Sequence, residues 1–146
     1  MSRVLGLDVG DRTIGIALSD ERGLVALPVR TLRRQPEGYR KDVASIRDVV
    51  DANDVSLVVV GLPLSMNGTM GPQAEKAADF AEKVRAAVSV PVELCDERFT
   101  TSQADRAMRD ASVSRKRRSE AVDAMAAALI LQGYLDGRAY RSAQEE

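Results

Sequence analysis

Three acidic residues, Asp8, Glu97 and Asp123, stand at the edges of apolar stretches in this 146-residue chain, where an ionised carboxylate needs a partner. Asp8 is the sharpest case. It interrupts Val4-Leu5-Gly6-Leu7-Asp8-Val9-Gly10, otherwise a buried strand by its pattern, and requires a hydrogen-bond donor, a cation or a metal. The chain has no histidine and one cysteine, Cys95, so an intrachain disulfide and the usual zinc ligand sets are excluded. A metal held here would be held by oxygen, which points to magnesium or manganese. Each acid also has an ordinary reading. Asp8 can bond to amides of the turn Gly10-Asp11-Arg12, Glu97 can pair with Arg98, and Asp123 can favour the start of a helix through the macrodipole.

The elements that must position these acids follow from periodicity. Strand-like runs cover about 3–9, 13–19 and 24–32, joined by short turns such as Asp20-Glu21-Arg22-Gly23, and predict an antiparallel meander. An amphipathic helix of about 38–52 follows, with Tyr39, Val43, Ile46 and Val50 on one face and Asn53 as its stop. Leu57-Val58-Val59-Val60 is continuously apolar, as expected of a strand covered on both faces. A second helix begins at Gly71-Pro72, with Ala77, Phe80, Ala81, Val84 and Val88 as its inner stripe. Pro91–Cys95 forms another short strand, whose end delivers Asp96-Glu97-Arg98. Thr100, Thr101 or Ser102 caps a helix of about 102–110, and a last helix spans about 118–135. On it Val122, Met125, Ala126, Leu129, Ile130 and Gly133 define the buried face, with Asp123 at the border. The order βββαβαβα(α) predicts an α/β mixed sheet with helices on both faces. One domain is expected over 1–138, with 139–146 as a frayed tail.

Composition bounds the partners. A 3% aromatic share makes the core aliphatic and leaves few rings for stacking on bases. A net charge of −1 gives no global attraction to nucleic acid, so polyanion binding must rest on local clusters, above all Arg115-Lys116-Arg117-Arg118. That run can equally be a solvated lead into a helix. The uncharged stretch from Val55 to Ala74 is long enough to span a membrane but is broken by Gly61, Pro63, Asn67, Gly68, Gly71 and Pro72. Asp8 and Asp11 interrupt the first apolar stretch, so no signal peptide is read. The expected location is the cytoplasm, with no membrane partner.

Four separated motifs carry a resemblance. Leu7-Asp8-Val9-Gly10 with Gly15-Ile16-Ala17, Val60-Gly61-Leu62-Pro63 with Asn67-Gly68-Thr69, Asp96-Glu97-Arg98-Phe99-Thr100-Thr101, and Ser114-Arg115-Lys116-Arg117-Arg118 followed by Val122-Asp123 and Ala126-Ala127 resemble the bacterial YqgF (RuvX) family over almost the whole chain. Its members are described as pre-16S rRNA nucleases and as Holliday junction resolvases. Asp11, where an uncharged or basic residue is expected, and Ser119-Glu120, in a commonly more basic stretch, depart from the pattern.

The resemblance implies a ribonuclease H-like fold, a five-stranded mixed sheet with its first three strands antiparallel. It also implies a site in which Asp8, Glu97 and Asp123 are both catalytic residues and ligands for Mg2+ or Mn2+, in two-metal phosphodiester hydrolysis. Arg98, Arg115, Lys116, Arg117 and Arg118 would contact nucleic acid. The expected substrate is structured RNA, in maturation of the 5′ end of 16S rRNA. The alternatives are branched DNA, resolved by a homodimer, and a non-catalytic nucleic-acid-binding module. Sugar kinases and actin-like ATPases carry a similar Asp-x-Gly hairpin, but they need two domains around a cleft and this chain has room for one.

Overall fold

Side chains alternate along the first strand between two separate cores, and this division organises the molecule. The computed structural model describes residues 2–96 and 115–145, with no account of the side chains of 115–121 and 145. Its elements are β1 (Arg3–Val9), β2 (Thr13–Ser19), β3 (Ala26–Arg33), α1 (Tyr39–Ala52), β4 (Val55–Leu62), α2 (Pro72–Ala87), β5 (Val92–Asp96) and α3 (Arg115–Glu145). The five strands form one sheet in the order β3-β2-β1-β4-β5. Pairing is antiparallel for β1 with β2 and β2 with β3, and parallel for β1 with β4 and β4 with β5. The predicted α/β mixed sheet, with its first three strands antiparallel and helices on both faces, is the one observed.

Leu5, Leu7 and Val9 of β1, Ile14 and Ile16 of β2 and Val58 and Val60 of β4 point to one face and pack with Ile46 and Val50 of α1 and Phe80 and Val84 of α2. Each fully buried Leu, Ile or Val there contributes about 1.5–3 kcal/mol. Val4, Ala17, Leu57 and Val59 point the other way, to Ala127, Ala128, Leu131 and Leu135 of α3. The apolar run in β4 is thus buried on both sides.

The α3 face is built differently. At Gly6 an added Cβ would lie 2.8 Å from the Cβ of Leu131, so this helix rests almost on the strand backbone. Small residues permit that approach, and alanines 124, 126, 127 and 128 are buried. The expected inner stripe is therefore corrected in part. Ala126 and Ile130 are buried as expected, but Val122, Met125 and Leu129 are half-buried and Gly133 is exposed. Beside Ile130, Leu131 and Leu135, the helix turns its alanines rather than Val122, Met125 and Leu129 towards a glycine- and alanine-bearing sheet.

Boundaries shift at two places. The last helix starts at Arg115 and continues through Glu145, so the segment expected as a tail is helical to its penultimate residue, with 139–144 exposed. β3 starts at Ala26, later than expected, because residues 24 and 25 belong to the hairpin turn. There the Leu24 and Val25 amides both donate to Asp20 Oδ1, at 2.8 and 3.1 Å. Gln132 of α3 then grips the adjacent backbone with both ends of its amide. Its Nε2 donates to Leu24 O and its Oε1 accepts from Ala26 N, each at 2.9 Å. The helix expected over 102–110 lies outside the described residues.

The amides of Val25 and Leu24 hold the Asp20 carboxyl below its ordinary value of 3.8. A carboxyl depressed in the folded state stabilises that state fully above its unfolded value and ceases to do so as the pH falls through its folded value. Asp20→Ala is expected to lower the urea midpoint at neutral pH, and the gap from the wild type should close on acidification. Urea titrations across the acidic range measure this.

Candidate active site

Asp8 belongs to the α3 side of β1, next in the alternation after Val4 and Gly6, and is half-buried. Its register partner on β2 is Gly15. Directly paired residues share a face, so the space beside Asp8 is the space over Gly15. α3 fills it with its own backbone. A Cβ at Gly15 would lie 1.9 Å from the carbonyl oxygen of Asp123 and 2.4 Å from its carbonyl carbon. Asp123, half-buried and 110 positions from Thr13, accepts a 2.6 Å hydrogen bond at Oδ2 from the Thr13 hydroxyl. Asp8 and Asp123 are therefore brought together by one glycine that admits the helix and one threonine that orients its carboxylate.

The turn between Asp8 and Thr13 is fixed from the opposite face. Gly10 N donates to Thr13 O at 2.9 Å, and Arg34 N donates to Arg12 O at 2.8 Å. The Arg34 side chain reaches the same turn, Nη1 donating to Gly10 O at 2.8 Å and Nε to Asp42 Oδ2 at 3.1 Å. Asp42, only 2% exposed, also accepts the Gln35 amide at Oδ1. Removing Arg34 would leave the buried Asp42 carboxylate with the Gln35 amide as its partner among the described residues, a destabilising change because the charge stays behind without its cation. Asp11 ties the tip of the turn to α2, accepting from Gln73 at 3.1 Å and Lys76 at 3.2 Å. These contacts, the Gln73 hydrogen bond first, hold its carboxyl below the usual value.

Thr13, Arg34 and Asp42 do not emerge as functional from the sequence. For Asp42 a signal exists, since it stands four positions before Ile46 on the buried side of α1. The Asn67-Gly68-Thr69 motif forms a turn closed on itself. Asn67 Oδ1 accepts from Thr69 N at 3.2 Å, from Thr69 Oγ1 at 2.8 Å and from the Ser65 hydroxyl. Cys95 is half-buried beneath α3.

Of the other predicted residues, Glu97 and Arg98 lie outside the described residues, just past the end of β5. Arg115, Lys116, Arg117 and Arg118 belong to α3 itself, where they are expected from sequence to lie mostly ahead of it. At 1.5 Å per residue they lie about 7–12 Å along the axis from Asp123. Among the described residues no three metal-ligating side chains gather, and no helix is long and apolar enough to cross a membrane. Asp8 and Asp123, on neighbouring backbone positions, would offer hard carboxylate oxygens, which fit magnesium or manganese.

A sheet of this strand order, with one acid inside its first strand and another on the helix packed over it, defines a ribonuclease H-like domain. The same fold is seen in "T. thermophilus RuvC in complex with Holliday junction substrate" (TM-score 0.57, 18% identity, covering 93% of this chain and 95% of that one). It is seen again in "Crystal structure of Fowlpox virus resolvase and substrate Holliday junction DNA complex" (TM-score 0.56, 12% identity, 92% and 97%). Within that class the description "RuvX: Holliday junction resolvase" matches residues 2–137, and the chain belongs to the RuvX family. A relative in Clostridium botulinum (strain Hall), 48% identical over 134 residues covering 92% of this chain and 96% of its own, bears the name "Putative pre-16S rRNA nuclease". A Clostridioides difficile (strain 630) relative of the same name is 47% identical, covering 92% and 94%.

Thr13→Val is expected to cost stability no more than about 1.5 kcal/mol, the worth of an ordinary hydrogen bond. It should nevertheless raise the magnesium concentration needed for half-maximal cleavage. Gly15→Ala overpacks the contact, should destabilise by about 1–3 kcal/mol and should impair the same metal dependence. Urea unfolding and magnesium titrations of cleavage check both.

Proposed function

We propose that this chain is a metal-dependent endonuclease that hydrolyses phosphodiester bonds in structured RNA, acting in the cytoplasm in maturation of the 5′ end of 16S rRNA. The observation that supports this reading is the Asp123 backbone lying over Gly15, the register partner of Asp8. The names of the relatives from both clostridia support the choice of RNA. Asp8, Asp123 and Glu97 are the catalytic set and the ligands for Mg2+ or Mn2+. Asp8 projects from a strand paired on both sides, and the Thr13 hydroxyl on the neighbouring strand holds the Asp123 carboxylate. Glu97 follows Asp96 directly, one residue beyond β5, whose Glu93 and Cys95 contact α3 through the Tyr134 hydroxyl and the smaller core. A bound divalent ion pair would activate water and neutralise charge on the leaving oxygen. The chain's own contribution is to hold the acids rigidly, so that little reorganisation is needed as charge develops. Arg98, Arg115, Lys116, Arg117 and Arg118 bind the phosphate backbone beside the acids.

The second reading is junction resolution. It is favoured by the fold shared with two enzymes captured on Holliday junctions, and it requires paired cuts by a symmetric dimer.

One assay separates these readings. A precursor 16S rRNA fragment and a four-way DNA junction are incubated side by side with wild type and Asp8→Asn in Mg2+ and in Mn2+. Selective cutting of the RNA by wild type and none by Asp8→Asn is expected; selective cutting of the junction would reverse the ranking. Unchanged cleavage by Asp8→Asn would remove the catalytic assignment. Replacing Arg115, Lys116, Arg117 and Arg118 by alanine should weaken binding and flatten its dependence on log[salt] by about 0.7–0.9 for each phosphate no longer neutralised. An unaltered slope would exclude that run as a binding surface.

A further inference from the structure

The turn after β1 has a second side. Opposite the face that carries Asp8, a cleft of about 270 Å3 is lined by Arg34, Tyr39, Lys76, Asp79, Phe80 and Lys83. It opens at the same end of the sheet, because Arg34 and Lys76 both touch the 10–12 turn, at Gly10 O and at the Asp11 carboxylate. Gly10 is two residues beyond Asp8, at most about 7 Å of extended chain.

Its lining combines cations with rings. The Arg34 guanidinium lies 5.1 Å from the centre of the Phe80 ring, and Lys83 Nζ lies 4.7 Å from that of Tyr39. Three cations face one carboxylate within the lining. Their ties differ in strength. Arg34 is locked by buried Asp42, whereas Lys76 pairs with Asp11 and Lys83 with Asp79, whose side chains are 57% and 69% exposed. An exposed pair such as Lys76–Asp11 is worth about 0–1 kcal/mol, so that ammonium turns to a phosphate at little cost, whereas Lys83, 29% exposed, leaves both Asp79 and the Tyr39 ring to do the same. Tyr39, the first residue of α1, keeps part of its ring open to solvent. A basic groove with an accessible ring suits one kind of ligand, a single strand whose phosphates meet the cations and whose base stacks on the aromatic face.

Resting on the nucleic-acid reading above, we propose that this cleft is a docking subsite for a nucleotide of the substrate strand flanking the cut, with phosphate on Lys76 and Lys83 beside Arg34 and the base against Tyr39. The turn is then a wall between two binding regions, the acids on one side and the flanking nucleotide on the other. This path is separate from the basic start of α3.

The test measures binding without cleavage, using Asp8→Asn as the parent and a fluorescein-labelled single-stranded oligoribonucleotide in EDTA. Lys76→Ala with Lys83→Ala should weaken binding and flatten the log–log salt slope by about 1.4, the value for two single-strand phosphates. Tyr39→Leu should weaken it at least about fivefold, and Tyr39→Phe, which keeps the ring, should restore it. Because the chain has no tryptophan, unlabelled oligonucleotide should quench tyrosine emission in the parent, and less so in Tyr39→Phe. Unchanged affinity and slope in the double lysine variant, or unchanged quenching in Tyr39→Phe, overturns the proposal. So does AMP binding as tightly as the oligonucleotide, which would make the cleft a mononucleotide pocket. Failure here leaves the cleavage results for Asp8 untouched, and failure of those leaves this binding comparison intact.

Discussion

The passage of the α3 backbone across Gly15 is the contact on which the site depends. Helices normally keep a side-chain layer between their axis and a neighbouring element, whereas here a strand position has no side chain and the carbonyl of Asp123 enters the space. The register pair Asp8–Gly15 places the strand acid beside that entry. Two acids far apart in sequence thus come from neighbouring stretches of backbone because of a missing methyl group. Gly6 continues the close approach further down the helix, against Leu131.

The two faces of the sheet divide the work. The α1 and α2 face carries the larger aliphatic side chains and most of the hydrophobic burial. The α3 face relies more on alanine and on closeness, so its energy comes from shape complementarity and dispersion over short distances. Between them, Arg34 lets the first face hold the second's geometry. Its guanidinium joins buried Asp42 to the carbonyl of Gly10, one residue past the Asp8 strand, while its backbone amide bonds Arg12 O. A charge is tolerated in the α1 core because its partner also fixes the turn beside the acids.

Much of this is legible in sequence, and the failures have physical causes. The alternation of Ile14, Ile16 and Leu18 with small residues marks β2, and the unbroken apolar run marks β4 as covered on both faces. Asp8 stands out because an acid does not belong in such a strand. Asp123 falls correctly at a helix border, but from the wrong stripe. Choosing Val122, Met125 and Leu129 assumes that the largest side chains face inward, whereas a glycine-bearing sheet selects Ala124, Ala127 and Ala128. Thr13 cannot be read at all, since its bond to Asp123 spans 110 positions. The hairpin turn extends past Gly23 because Asp20 captures two further amides, a side-chain effect that apolar Leu24 and Val25 conceal.

Gly15 also has a consequence at the level of the gene. Every single-base change in a glycine codon is silent, ends the chain or adds a β-carbon. At this position a β-carbon has no room, because a peptide carbonyl occupies its place and cannot swing aside as a flexible side chain would. No conservative replacement lies one mutational step away. A second change, in the helix, would have to come first to withdraw Asp123, and that change would itself dismantle the pair of acids. Position 15 is therefore a dead end for stepwise drift, held by geometry although it takes no part in the chemistry.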